Sequence, residues 1–409
     1  MKSESAYIFQ LSSGLRCVFS SVNAPVAYCA LGIVAGSRMD PIRLSGLSHL
    51  TEHMLFKGTQ KRSAFHINNR LERLGGELNA YTTKEELVVH ATVLKEDLAK
   101  AFDLLSDIFF HSTFPVQELA KEKEVIADEI SSYKESPSEL IVDEFDQLLF
   151  GEHPLSTPIL GSRQSLALIK RSDLFDFAQR FFVPSHIVLS VVANISERQM
   201  QTLMQRHFDL ASISFMAPPS YHGDLPTPFF LEKHRRTHQA HCLTGVRAYP
   251  YSDPKRIALA LLMNFLGGTS PNARLNLLLR EKHGLVYNVE ASYTPYSDSG
   301  VAGIYFGSDK YDWKRCLSLV RTELDKICQA PLSPQQLQSI KKQLIGQLTI
   351  AADNAESKCL NQLKSMLVFG KVESLEQTSD KINAVTSSQI MEIAQELFTP
   401  DAMSTLLYI

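Results

Sequence analysis

The spacing of hydrophobic and polar residues predicts strands and helices in mixed order along the chain. The elements predicted in the first half are a hairpin over 7–19, a strand over 27–35, a helix around 47–54 with Gly58 as its C-cap, a strand over 87–93, and helices over 101–110 and 115–133. These elements interleave without the regular alternation of a doubly wound sheet, so the pattern favours an α+β fold.

The two halves of the chain share a repeated segment near their ends. Residues 172–184 align with residues 388–400 at an offset of 216, with matches at Ser, Ala-Gln, Phe and Pro, and an apolar strand-like run follows each segment. Between them, the four prolines of residues 212–230 predict an extended linker. The sequence therefore predicts two duplicated domains, residues 1–215 and 216–409.

Composition excludes several classes of function. The 409 residues carry 41 basic and 44 acidic side chains, a formal charge of −3, so no basic face for nucleic acid is expected. The first 15 residues lack a basic region followed by an apolar core, and no stretch reaches ~18 uninterrupted apolar residues. We expect a soluble, cytoplasmic protein with no membrane partner.

The strongest chemical signal is the segment His49-Leu-Thr-Glu52-His53. Residues four apart lie on one face of a helix, so both histidines can bind a single ion while Glu52 points towards the same space. The alternative is a polar helix face with two unrelated histidines, and the segment by itself leaves that alternative open.

Two acidic residues further along the chain are candidates for a third ligand, since a catalytic zinc site uses three protein ligands and one open position. Glu122 and Glu129 are two helical turns apart and point the same way. An adjacent apolar stripe, formed by Leu119, Ile126 and Ile130, would draw that face inward. One acid could bind the ion and the other support it; a solvated acidic surface is the alternative.

The motif and its flanks resemble the inverted zinc motif of the pitrilysin family, which includes insulysins and mitochondrial processing peptidases. The resemblance rests on HLTEHMLFKGT at 49–59, preceded by GSRMDPIRLSGLS. In that family a glutamate about 76 residues after the second histidine is the third ligand, and an acidic residue precedes it by seven. The resemblance implies one Zn²⁺ per chain held by His49, His53 and Glu129, with Glu52 as the catalytic base and Glu122 as a supporting catalytic residue.

The resemblance extends to two more segments of the first half. Asn79-Ala80-Tyr81-Thr82 matches the family's Asn-Ala-x-Thr segment, an edge strand that pairs with substrate backbone. Residues 153–161, HPLSTPILG, resemble the family's HPLGRPILG, with Ser-Thr in place of Gly-Arg. The function of this second segment is left open by the substitution.

The second half resembles the family's other domain. LREKHGLVY at 279–287 matches a family segment whose Arg and Tyr close over the substrate, which carries over to Arg280 and Tyr287 as substrate-binding residues. A cation and a phenol O–H can both bind a peptide carbonyl. When FKGT at 56–59 is laid on LGGT, the three motif positions fall on Leu259, Leu262 and Met263. Only the first half could then hold the metal.

These features predict a zinc-dependent endopeptidase that hydrolyses peptides or unfolded polypeptide segments inside a closed chamber. The resemblance implies two duplicated α+β domains, each a mostly antiparallel sheet packed with helices, in a half-sized chain that forms a homodimer. Two alternatives stay open: a non-catalytic scaffold or partner subunit of the same family, and a processing peptidase for one specific presequence.

Overall fold

The structure, a computed structural model, describes residues 6–208, 223 and 226–409. The strands within these residues are β1 (Tyr7–Gln10), β2 (Arg16–Ser21), β3 (Val26–Ile33), β4 (Glu77–Thr82), β5 (Leu87–Leu94), β6 (Ile187–Ala193), β7 (Phe230–Lys233), β8 (Ala240–Arg247), β9 (Val286–Pro295), β10 (Gly300–Ser308) and β11 (Ser404–Tyr408).

The helices of the same residues alternate irregularly with these strands. They are α1 (Leu47–Leu55), α2 (Ala64–Glu72), α3 (Leu98–Phe110), α4 (Val116–Lys134), α5 (Pro137–Phe150), α6 (Arg163–Leu168), α7 (Arg171–Phe181), α8 (Glu197–Phe208), α9 (Arg256–Gly267), α10 (Trp313–Gln329), α11 (Pro334–Asp353), α12 (Ala355–Phe369), α13 (Leu375–Ala384) and α14 (Ser387–Leu397). Residues Asn276–Lys282 form a π-helical turn, and short 3-10 turns occur elsewhere.

The chain forms two compact units, each built around one sheet. The first unit, drawn from Met1–Ser132, Thr157–His222 and Ala351–Ser374, has the strand order β1-β2-β6-β3-β5-β4. All neighbouring strands in this sheet are antiparallel except β2 and β6. Its main core lies between one face of the sheet and helices that include α1, α3 and α4.

The second unit, drawn from Tyr133–Ser156, Gly223–Ile350 and Leu375–Ile409, repeats this plan. Its sheet has the order β7-β11-β8-β10-β9, with only β7 and β11 parallel. Matching β7 to β2, and the later strands in turn, reproduces the order of the first sheet without its edge strand β1. Helices α7 and α14 begin and end 216 residues apart, the offset of the sequence repeat. The predicted fold class, two duplicated α+β domains with mostly antiparallel sheets, is confirmed.

Each unit takes one helix from the other half of the sequence. Helix α12 packs on β3 and β6 of the first unit, and α5 packs on β8 and β11 of the second. Under α12 the sheet carries Gly32, where an added Cβ would lie 2.9 Å from a methyl carbon of Leu363. The compact units are therefore not continuous in sequence. The predicted boundary between residues 215 and 216 lies outside the described residues and stays a prediction.

Several predicted elements of the first half are confirmed, with one correction. The hairpin is present, with Tyr7 opposite Phe19. Helix α1, however, ends two residues earlier than expected, because Phe56 rather than Gly58 is its C-cap. Gly58 has φ of +153° and pairs with Ser63 in an isolated bridge, a conformation that favours glycine for a reason unrelated to helix capping. None of the helices in the described residues combines the length and the hydropathy of a membrane-spanning segment.

Candidate metal centre

The start of helix α1 is fixed by a buried carboxylate. Asp40 accepts hydrogen bonds from the backbone N–H of Gly46 at 2.9 Å and of Ser48 at 3.0 Å, and from the Ser48 hydroxyl at 3.3 Å. Burial raises the pKa of Asp40 to about 7, although these donors favour its charged form. The first-turn N–H groups of the helix are thus partly satisfied before the metal motif begins.

Part of the segment 153–161, whose function the sequence left open, contacts the residues just before helix α1. Its residues 157–161 belong to the first unit, where the Pro158 carbonyl accepts a hydrogen bond from the Ser45 hydroxyl at 3.4 Å. Gly46 has φ of +92°, and an added Cβ would lie 2.7 Å from the Leu160 carbonyl oxygen. An added Cβ at Gly161 would lie 2.1 Å from the Ser45 carbonyl oxygen. Residues 157–161 therefore help to set where α1 begins.

Three potential metal ligands come together between α1 and α4. The Nε2 atoms of His49 and His53 lie 4.0 and 3.8 Å from the two carboxylate oxygens of Glu129. One ligand atom from each residue can be chosen so that all three lie within 4.8 Å of one another. The Glu129 side chain is 41% exposed, so the face of this cluster is open to solvent.

The cluster suits zinc by donor type and by spacing. Two imidazole nitrogens and one carboxylate are a recurrent donor set of catalytic zinc, and ligand atoms ~2.0 Å from a tetrahedral ion lie about 3.3 Å apart. The observed separations of 3.8 and 4.0 Å, each to a different oxygen of Glu129, exceed this value by roughly 0.5 and 0.7 Å, so the side chains would move closer together around an ion. The residues present therefore fit a zinc ion with an open position.

The two histidines have different surroundings. The Nδ1 atom of His53 lies 3.0 Å from the Glu122 carboxylate, whose other oxygen lies 2.6 Å from the Lys57 ammonium. The Nδ1 atom of His49 is buried and has no hydrogen-bond partner within the described part of the chain. Burial, together with the neighbouring His53, lowers the pKa of His49 to about 3. His49 is therefore neutral, the form that binds a metal, at any physiological pH.

Glu52 lies on the same helix as the histidines and is almost fully buried. Its Oε2 atom accepts a hydrogen bond from the Thr82 hydroxyl at the end of β4. Burial raises the pKa of Glu52 above its ordinary value, whereas the Thr82 hydrogen bond acts in the opposite direction. Sequence reasoning placed Thr82 with the substrate strand and missed this contact, which depends on how β4 meets α1.

Strand β4 contains the four residues predicted to bind substrate backbone. It lies at one edge of the first sheet and pairs only with β5 within the described residues. Leu78 and Ala80 pack towards the main core, while Tyr81 packs towards α12. Asn79 lies opposite His90 on β5. An edge strand offers unpaired N–H and C=O groups to an extended chain.

The other predicted substrate contacts lie in the second unit. Arg280 is on the π-helical turn and Tyr287 on the edge strand β9, and Tyr287 is 77% exposed. Their role as a clamp stays a prediction. In α9, the positions aligned with the metal motif, Leu259, Leu262 and Met263, are core residues with 2% exposure or less.

The duplicated α+β fold and the inverted metal motif on α1 define a class of two-unit chains with a candidate metal site in the first unit. Comparisons with known proteins give the family. Residues 16–163 match the model described as insulinase, peptidase family M16, and residues 169–344 match the model described as peptidase M16 inactive domain. The chain is 31% identical to a Bacillus subtilis protein named uncharacterized zinc protease YmxG, over 96% of both chains. The chain belongs to peptidase family M16.

Other relatives and solved structures agree with this assignment. An uncharacterized zinc protease of Rickettsia felis is 29% identical over 99% of this chain and 98% of its own length. A protease from Helicobacter pylori has the same fold, with a TM-score of 0.90, 20% identity and coverage of 98% and 99% of the two chains. A Pseudomonas fluorescens structure titled peptidase M16 inactive domain has a TM-score of 0.88 at 21% identity, over 98% of both chains.

Proposed function

We propose that this protein is a zinc-dependent endopeptidase that cleaves peptides or unfolded polypeptide segments. The observation that carries the proposal is the convergence of His49, His53 and Glu129 beside the buried Glu52 carboxylate. A structural metal site would be closed by four protein ligands. Here three candidate ligands lie beside a group that can move a proton, which is the arrangement of a hydrolytic site.

The side chains divide the chemistry between them. His49, His53 and Glu129 would hold the zinc ion, which when bound would supply Lewis acidity and lower the pKa of a water. Glu52 takes the proton of the attacking water and passes it to the leaving amine. The raised pKa of Glu52 favours the first step, because a carboxylate of higher pKa accepts a proton more readily.

Substrate backbone is proposed to bind along β4. An extended segment added at this free edge would form main-chain hydrogen bonds next to Thr82, whose side chain contacts Glu52. Folded proteins rarely offer such a segment, since their backbone groups are already paired. Peptides and unfolded chains are therefore the substrate class that we propose.

The finer parts of the proposal concern the second unit and the assembly. Arg280 and Tyr287 are proposed to hold a substrate carbonyl, with the phenol near the developing oxyanion. A homodimer that completes a closed chamber, one zinc per chain and a cytoplasmic location are part of the same proposal.

The test uses the purified full-length chain, a zinc measurement and an unstructured peptide mixture. The wild type should bind one zinc and cleave the mixture, and a chelator should stop cleavage. Glu52→Gln should keep the zinc and lose ~10²–10⁴-fold in turnover. Glu124→Gln, on the exposed side of α4, is the matched control and should behave as wild type.

Two results would contradict the proposal. Cleavage that survives Glu52→Gln would remove Glu52 as the base. A zinc-loaded wild type that cleaves no peptide in the mixture would favour a non-catalytic family member that serves as a scaffold or partner subunit.

A further inference from the structure

We infer that Lys57 is a positioning residue of the metal site, holding Glu122 so that this carboxylate accepts the Nδ1–H of His53 and leaves Nε2 free for zinc. The inference rests on the proposed zinc site. It concerns a lysine that follows α1 and contacts none of the three proposed ligands through the ion pairs seen here.

The contacts form a short chain from a cation to a ligand. The Lys57 ammonium lies 2.6 Å from Oε1 of Glu122, and Oε2 of the same carboxylate lies 3.0 Å from Nδ1 of His53. The two Glu122 oxygens therefore have separate partners, which fixes the rotation of the carboxylate. Nε2 of His53 is the atom that faces Glu129, 3.8 Å from its Oε1. A neutral imidazole has one N–H, so an acceptor at Nδ1 selects the tautomer with a free Nε2.

Burial explains why Glu122 needs a cation as well as a histidine. Glu122 is 5% exposed and occupies the buried stripe of α4 with Leu119, Ile126 and Ile130. A buried carboxylate with no compensating charge is costly. Lys57 is the cation that an ion pair brings to Glu122 among the described residues, and its side chain is largely covered.

The second unit supports the view that His53, Glu122 and Lys57 act as one set. The alignment that places His53 on Met263, an offset of 210, places Lys57 on Gly267. Helices α4 and α11 start with corresponding backbone hydrogen bonds: the N–H of Leu119 donates to the Pro115 carbonyl, and the N–H of Leu337 donates to the Ser333 carbonyl. Laying these helix starts on each other aligns α4 with α11 at an offset of 218. Glu122 then corresponds to Ile340, a core residue. Histidine, glutamate and lysine are thus all replaced where the metal motif is absent.

Two structural explanations of the Lys57–Glu122 ion pair would involve no effect on zinc affinity. A cation just after a helix complements its C-terminal dipole, and an ion pair to Glu122 could merely offset that residue's burial. Both predict that losing Lys57 lowers the stability of the metal-free protein without changing zinc affinity. Positioning predicts a change in zinc affinity that depends on Glu122.

The experiment measures zinc affinity by chelator competition on the full-length protein. Lys57→Met should weaken zinc binding ~10-fold or more, within the range found for residues that orient metal ligands. Lys57→Arg should restore most of the affinity. Lys121→Met, which removes an exposed lysine paired with Glu118 on α4, is the matched control and should change nothing.

A double-mutant comparison tests the route of the effect. In a Glu122→Gln background, Lys57→Met should cause little further loss of affinity, because the carboxylate through which it acts is gone. Nitrogen chemical shifts of His53 in the metal-free protein should show the Nδ1–H tautomer in the wild type and a smaller share of it in Lys57→Met.

The outcomes separate this inference from the proposed function. If the wild type binds no zinc, both fail. If the wild type binds zinc and Lys57→Met binds it equally well, or loses the same factor with and without Glu122, only the role of Lys57 is overturned.

Discussion

Helices α1 and α9 occupy corresponding places in the two units, but α1 carries polar side chains at positions where α9 carries apolar ones. The aligned pairs, first unit before second, are His49 and Leu259, Glu52 and Leu262, His53 and Met263, Lys57 and Gly267, Glu122 and Ile340, Glu129 and Gln347. Both units nevertheless share the order of five strands, and each has a hydrophobic core. The polar set is therefore unnecessary for the fold, and its presence in one unit needs another explanation.

The comparison also indicates a cost to the first unit. Glu52 and Glu122 are carboxylates with less than a tenth of their surface exposed, and the Nδ1 atom of His49 is buried without a partner in the described residues. Buried polar groups reduce stability unless they are fully paired. The second unit fills the positions of His49, Glu52, His53 and Glu122 with apolar side chains. Polar groups kept at a cost in stability are typical of functional sites, which fits the candidate metal site of the first unit.

The largest expected effect follows from placing a carboxylate in the apolar member of the pair. Leu262→Glu would bury a charge at a fully buried position in α9, within an apolar core. We expect a loss of roughly 4 kcal/mol in the free energy of unfolding of the second unit, measured by urea titration. Leu262→Met, which conserves volume, should lose less than about 1.5 kcal/mol. Equal stability of the two variants would show that α9 is not the core helix described here.

The second prediction removes the proposed ligand on α4. Glu129→Gln should lower zinc affinity by more than ~100-fold, because loss of a residue that only orients a ligand already costs up to about that factor. The zinc affinity is measured by chelator competition, with Glu124→Gln as the control from the same helix. Full zinc occupancy in Glu129→Gln would transfer the ligand role to another group, with Glu122 the nearest carboxylate to His53.

The third prediction uses the lowered pKa of His49, about 3, against an unfolded value near 6.5. Above pH 6.5 the group is neutral in both states and contributes nothing to pH dependence. As the pH falls towards 3, only the unfolded chain takes up the proton, so stability is lost. At pH 5 the loss reaches ~2 kcal/mol for this group.

The measurement compares urea unfolding of metal-free wild type and His49→Leu at pH 7.5 and pH 5. His49→Leu mimics Leu259 of the second unit and should lose less stability on acidification, because other titrating groups are common to both proteins. The same loss in both proteins would show that burial does not hold His49 neutral.

How much of this site the sequence predicts depends on whether the signal is local. The spacing of the α1 histidines and the two-turn separation of Glu122 and Glu129 are periodic, and both pairs do lie on shared helix faces. The contacts of Lys57 and Thr82 are set by how α1 meets α4 and β4, which no spacing rule describes. A signal for Glu122 was present, since it falls on the apolar stripe of α4 at helical spacing.

The fold shows the same division. The repeat at an offset of 216 and the α+β class are visible in the sequence, because α7 and α14 keep the same length and pattern. The exchange of α5 and α12 between units is not visible in the sequence. Each of these helices directly follows a helix of its own half, and its apolar periodicity would be the same in either unit. The expectation of Gly58 as a C-cap was wrong because its positive φ serves the bridge to Ser63.

The smallest expected effect isolates the side chain of Thr82 from the strand that carries it. Thr82→Val keeps the β-branched shape and the β4 backbone but removes the hydroxyl that donates to Glu52. We expect kcat for an unstructured peptide to fall ~5–10-fold, the value of one hydrogen bond, with KM and zinc content unchanged. Thr82→Ser should retain most of the activity. A rise in KM with unchanged kcat would instead place Thr82 in substrate binding alone. The orientation of the Glu52 carboxylate would then be set within α1 and would not depend on the contact with β4.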